Sequence, residues 1–125
     1  MSKDIRYSDK IGDADYSQMH RTIKGAYVTD IDQIEWREGR GIVAILCITG
    51  NLNDSNHINN SKFHIWERTK FERMIVTEIA RRINVPAYYV IHTKDLNTFQ
   101  IHKISDLSEY TQLNQEEYKI WLSLL

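Results

Sequence analysis

Thr29-Asp30-Ile31-Asp32-Gln33-Ile34-Glu35-Trp36, followed after Arg37-Glu38-Gly39-Arg40 by Gly41-Ile42-Val43-Ala44-Ile45-Leu46-Cys47-Ile48-Thr49, is the stretch that decides the fold. The first run extends a region rich in β-branched and aromatic residues and predicts a strand over Ala26 to Trp36. The second is almost continuously apolar and predicts a strand over Gly41 to Thr49 that is covered on both faces. A strand of that kind sits inside a sheet with helices around it. The short connection carrying Gly39 suits a hairpin turn.

Downstream, Gly50 to Ser61 holds five asparagines and no periodicity, and reads as a long loop. A helix is expected from about Lys62 to Ile83, capped by Asn60 or Ser61 and stopped ahead of Pro86. Ala87 to His92 and Thr98 to Ile104 read as paired strands around a Lys94 to Asn97 turn. Asn114 with Glu117 three residues on is a capping box. It opens a closing helix over Leu113 to Leu125 with Tyr118, Trp121, Leu122 and Leu125 as its apolar stripe. Upstream, residues 1–15 read as a flexible arm, and Tyr16 to Lys24 as a short helix between Asp15 and Gly25. The order predicts one α/β domain over residues 16–125, a small mixed sheet of four to five strands flanked by helices.

The 125 residues suit one domain, and 42% apolar content is enough for a single core. A net charge of −1 removes any bulk electrostatic argument for nucleic acid, leaving only a local basic face. Cys47 is the sole cysteine, which excludes an intrachain disulfide and a multi-cysteine zinc site. No apolar run approaches the roughly 20 residues that span a bilayer, and the polar first residues do not form a signal peptide, so the cytoplasm is the expected location. The five histidines show no zinc spacing, although His92 and His102 could face each other across the second hairpin. Neither a Gly-rich phosphate loop nor a Gly-x-Ser-x-Gly elbow is present.

Strand alternation would put Val28, Asp30, Asp32, Ile34 and Trp36 on one face, with the two aspartates about 7 Å apart. Paired carboxylates repel and are most stable around a divalent cation or a basic group. The alternative is a strand that starts late, with Asp30 in a turn and Asp32 on a solvated face. On the partner strand, Cys47 and Thr49 share a face that could be the one holding the aspartates.

The layout over roughly residues 16 to 104 resembles the PD-(D/E)XK nuclease superfamily of restriction enzymes and junction resolvases. Val28-Thr29-Asp30-Ile31-Asp32-Gln33-Ile34-Glu35 is similar to its first half-motif, with Asp32, or else Asp30, at the place of the first acid. Ala44-Ile45-Leu46-Cys47-Ile48-Thr49 is similar to the second half, but Cys47 stands where the second acid belongs and Thr49 where the lysine belongs. The resemblance implies a restriction endonuclease-like core, DNA as partner, and Mg²⁺ or Mn²⁺ held at Asp32 and Asp30. It also implies either a catalyst that has moved its missing groups onto the following helix or a degenerate fold that binds without cutting. Lys70, Glu67 and Glu72 are the candidates for such a move.

Trp66, Lys70, Arg73, Thr77 and Arg81 recur at three- and four-residue spacing on the long helix. With Lys62 and Arg68 they could track a phosphate backbone, the nucleic-acid contacts being Lys62, Trp66, Arg68 and Arg73. The plainer reading is a solvent-facing stripe with Trp66 partly in the core. A reading from another class makes the chain a non-enzymatic interaction or accessory protein, a homodimer through the Tyr88-Tyr89 strand or through Trp121 and Leu125 of the last helix.

Overall fold

The computed structural model describes residues 29–125, together with 15, 18, 19, 21, 22, 24 and 25. The expected arm, most of the first helix, and Val28 lie outside the described residues. Five strands, β1 (Gln33–Arg37), β2 (Gly41–Leu52), β3 (Ala87–Thr93), β4 (Phe99–Lys103) and β5 (Asp106–Leu113), form one sheet in the order β1-β2-β3-β4-β5. β2 and β3 are parallel, and the other neighbours are antiparallel. The crossover between β2 and β3 is made by α1 (Ser55–Arg68) and α2 (Lys70–Ile83), and α3 (Gln115–Ser123) closes the chain. The expected mixed α/β sheet is therefore present.

Gly39 adopts φ +80° in the hairpin turn, where Arg40 N–H bonds back to the Arg37 carbonyl. β2 is buried from Ala44 to Cys47, as a strand between two neighbours and two helical layers must be. On one face Ile45, Cys47, Tyr89 and Ile91 pack against Ile58 and Ile65 of α1 and Val76 and Ala80 of α2. On the other, Val90, Phe99 and Ile101 pack against Tyr118 and Trp121 of α3. Phe99 and Tyr118 stack at 4.0 Å, and Trp121 meets Tyr88 edge-on at 5.1 Å. The capping box at Asn114 and Glu117 is formed and contributes about 1 kcal/mol to α3. Arg37 and Arg40 bond the Leu122 and Leu125 carbonyls, so the first hairpin holds the C-terminal end of α3.

Several expectations are corrected. β1 begins at Gln33, not Ala26, so Asp30 and Asp32 precede the ladder. The stretch from Gly50 to Ser61 is not a long loop. β2 runs on to Leu52, and α1 starts at Ser55 with Asp54, in place of Asn60 or Ser61, accepting from His57 N–H as its cap. Ile58, fully buried, gives that Asn-rich segment its helical anchor. The single long helix is two, separated at Thr69, whose buried hydroxyl bonds the Ile65 carbonyl. This break ends the continuous stripe from Trp66 to Arg81. β5 was not expected, because its exposed edge position leaves only Leu107 and Leu113 to signal it.

His92 and His102 do not face each other, since His92 pairs with Phe99 and His102 with Tyr89. β3 is the central strand and Tyr89 is 1% exposed, so Tyr88-Tyr89 offers no free edge for a partner. Trp121 is half-buried on Tyr88 and is not an exposed interface residue.

Candidate functional site: a carboxylate pair on the helix-covered face

The register aligns Ile34 with Ile45, and two further residues along each strand set Asp32 opposite Cys47. Asp32 lies just beyond the ladder and continues it with its side chain, its Oδ2 accepting from Ile48 N–H at 2.9 Å. Cys47 pairs with Tyr89, Tyr89 with His102, and His102 with Tyr110. Paired residues share a face, so Asp32, Cys47, Tyr89, His102 and Tyr110 form one row, buried under the helix layer at Cys47, Tyr89 and His102 and exposed at its two ends, Asp32 and Tyr110. The face that the sequence assigned to Cys47 and Thr49 is the face of Asp32.

Glu72 reaches this row from α2. Glu72, Arg73, Val76 and Ala80 lie at helical spacing on the side of α2 that meets the sheet. The Glu72 carboxyl lies near enough to Asp32 and Cys47 for each to act on its titration. Partial burial and then the Asp32 charge push its pKa up to about 7, so near neutrality Glu72 is on the edge between acid and carboxylate. Cys47 is fully buried, and desolvation, followed by the charges of Glu72 and Asp32, raises its thiol well above the ordinary value. It stays a neutral thiol.

Beside this pair, Thr49 Oγ1 and Tyr89 Oη are 2.6 Å apart, and Tyr89 also bonds with Thr69 at the helix break. Burial raises the Tyr89 pKa, so the phenol is a proton-bearing group. Arg73 is the nearby cation that acts on both Glu72 and Cys47. Its guanidinium bonds the Trp66 carbonyl and Thr69 Oγ1, and lies 5.6 Å from the Trp66 ring.

The sequence candidates therefore separate. Asp32, Cys47, Thr49 and Glu72 converge. Asp30 and Asp32 are both exposed, and Asp32 is the aspartate that raises both Glu72 and Cys47. Lys70, the first residue of α2, is exposed and stands about 200° around the helix from Glu72. Glu67 and Arg68 are exposed near the end of α1. Trp66 packs edge-on against Tyr89 at 5.1 Å and His102 at 5.0 Å, which makes it a core residue with one accessible side. Lys62 lies 4.0 Å over the Tyr110 ring. Tyr89, Thr69 and Arg73 as members of the cluster were missed. The only signal for Arg73 was its place beside Glu72 on an otherwise apolar helix face.

Among the described residues no group of three or more His, Cys, Asp and Glu side chains is arranged to hold a metal ion. Two carboxylates nevertheless fit Mg²⁺ or Mn²⁺. Mg²⁺ usually takes one or two protein carboxylates and completes its shell with water and phosphate oxygens. The neutral Cys47 thiol is not a ligand for such a hard ion. The chain matches no family model, no curated protein and no solved structure.

Proposed function

We propose that the chain is a nuclease-fold protein acting on DNA, with Asp32 and Glu72 as the two acids of a metal-dependent phosphodiester hydrolase. The observation that supports this most is the nearness of Glu72, on α2, the second helix after the hairpin, to Asp32 and to Cys47, which brings no carboxylate of its own. A relocated acid of that kind is a chemical replacement, because it delivers the same oxygen donors beside Asp32 from a different element. When bound there, a divalent cation supplies Lewis-acid polarisation of a phosphate and a more acidic water.

The chain's own residues divide the remaining work. Ile48 N–H fixes Asp32 through Oδ2. Glu72 must lose its proton to act as a carboxylate ligand, which a pKa of about 7 permits. Thr49 and Tyr89 hold a hydroxyl pair where the superfamily has lysine. That pair can orient a water by hydrogen bonding but brings no positive charge. A second reading, binding without cutting, is favoured by this one feature.

Cleavage of supercoiled, linear and branched DNA with Mg²⁺ or Mn²⁺ decides between the readings. Metal-dependent cutting by the natural chain, lost in both Asp32→Asn and Glu72→Gln, is expected. Cutting that appears only when Cys47→Glu is combined with Thr49→Lys would assign a degenerate site. Silence from every variant would remove the hydrolase.

A further inference from the structure

The helix layer carries a charge that the whole chain does not. Across α1 and α2 there are six basic residues, Lys62, Arg68, Lys70, Arg73, Arg81 and Arg82, against three acidic ones, Glu67, Glu72 and Glu78. The chain as a whole is at −1, so the two crossover helices, at six basic against three acidic residues, are its positive part. At the far end of the row that begins at Asp32, a groove of about 580 Å³ opens between α1 and the edge strand β5. Its walls include Lys62, Phe63 and Trp66 from the helix and Ser108 and Tyr110 from the strand. This is within the roughly 300–1,000 Å³ typical of small-ligand clefts.

Two of the walls are exposed aromatic residues. Phe63 is 81% exposed and Tyr110 is 46% exposed. Tyr110 is held by stacking on buried His102 at 4.7 Å, so its ring is positioned before anything binds. Lys62 sits over that ring at 4.0 Å, and no carboxylate lines the groove. An exposed flat ring, Phe63, beside an ammonium already seated on the fixed Tyr110 ring, with a hydroxyl and without an acid, is the chemistry that holds an unpaired base and its phosphate. A duplex buries its base faces in its own stack and cannot use such a groove.

We infer that this groove stacks an unpaired nucleotide, so that the substrate class is DNA with a single-stranded segment. The inference rests on the DNA reading of the carboxylate site but does not require that site to cut. The row from Asp32 to Tyr110 crosses four strand spacings, about 19 Å, so the two features are separate. Exposed Arg68 and Lys70 flank the helix break between them in the chain.

The test is fluorescence anisotropy with a labelled oligothymidylate and with a blunt duplex of equal length, in EDTA so that no metal contributes. The single strand should bind at least tenfold more tightly than the duplex. Phe63→Ala should weaken the single strand by about tenfold and leave the duplex unchanged, given stacking values of about 1–3 kcal/mol per base. The melting temperature should not move, because Phe63 is a surface residue. Lys62→Gln should lower the salt dependence as well as the affinity. Equal binding of both forms, or indifference to Phe63→Ala, overturns the inference. So does concentration-dependent dimerisation that Phe63→Ala abolishes, which would give the groove to a second copy of the chain. No cutting by the natural chain, with single-strand binding that still depends on Phe63, removes the hydrolase alone and upholds the groove. Metal-dependent cutting with no dependence on Phe63 removes the groove alone.

Discussion

Replacing Glu72 with glutamine should stabilise the metal-free protein at pH 8 and at the same time abolish its response to Mn²⁺. The ordinary value for the glutamate is 4.5, and in the fold it is pushed up to about 7 by partial burial and the neighbouring Asp32. Because the folded state holds this proton more tightly than the unfolded chain, its contribution to stability is complete below pH 4.5. It is lost as pH rises through 7. Full burial would make the penalty on the ionised form about 3 kcal/mol. Glu72 is only partly buried and solvent still screens the repulsion, so about 1 kcal/mol is the realistic cost at pH 8. Glu72→Gln removes that cost, and an amide can donate to Asp32. The melting temperature should therefore rise by roughly 4 °C at pH 8 and hardly change at pH 4.5. Mn²⁺ should act the opposite way. At 100 times its Kd it stabilises the natural chain by about 2.7 kcal/mol, and the variant by much less. Thermal melts at the two pH values, with and without Mn²⁺, measure all four numbers. A lower melting temperature for Glu72→Gln at pH 8, or an unchanged Mn²⁺ response, would refute the pairing of Glu72 with Asp32 as a cation site.

Gly50→Ala places its new carbon 2.3 Å from the His92 ring, which is packed beside Phe99 and bonded through Nδ1 to the Thr93 carbonyl. It should cost about 1–3 kcal/mol by urea denaturation, and the cost should nearly vanish in a His92→Ala background; strict additivity would show that the ring is not the obstacle. Burial holds the His102 pKa down, so its contribution to stability is complete above the ordinary 6.5 and is lost as pH falls below it, with a slope of at most about 1.4 kcal/mol per pH unit. Urea midpoints from pH 7.5 to 5.5, taken in the Glu72→Gln background so that the opposing carboxyl titration is absent, should fall in that variant and flatten when His102→Gln is added.

What could be read from the sequence follows from where each residue's energy comes from. β2 was legible because burial on both faces leaves no polar position in Ala44 to Ile48. The capping box of α3 was legible because both partners lie within four residues of each other. The early end of β1 was not, since Asp32 substitutes a side-chain oxygen for a backbone partner and interrupts the ladder without breaking the apolar alternation around it. The start of α1 was hidden by asparagines, although Ile58 and Ile65 stand seven apart and both are buried. Gly50, alone within an apolar strand, marked a close approach but could not say to what. Glu72 had a signal, a carboxylate on the helix face that also bears Val76 and Ala80. Its partner could be known only once the hairpin register put Asp32 beside Cys47.

The break at Thr69 gives the carboxylate pair a mechanical aspect. Asp32 belongs to the sheet, through Ile48, while Glu72 travels with α2, one turn past the break. Anything that grips both acids ties the second helix to the sheet, and anything that drives them apart pries at that same joint. Occupancy would then be written into the tightness of α2 as a latch, legible as slowed amide exchange from Arg73 onward while α1, on the other side of Thr69, keeps its own rate.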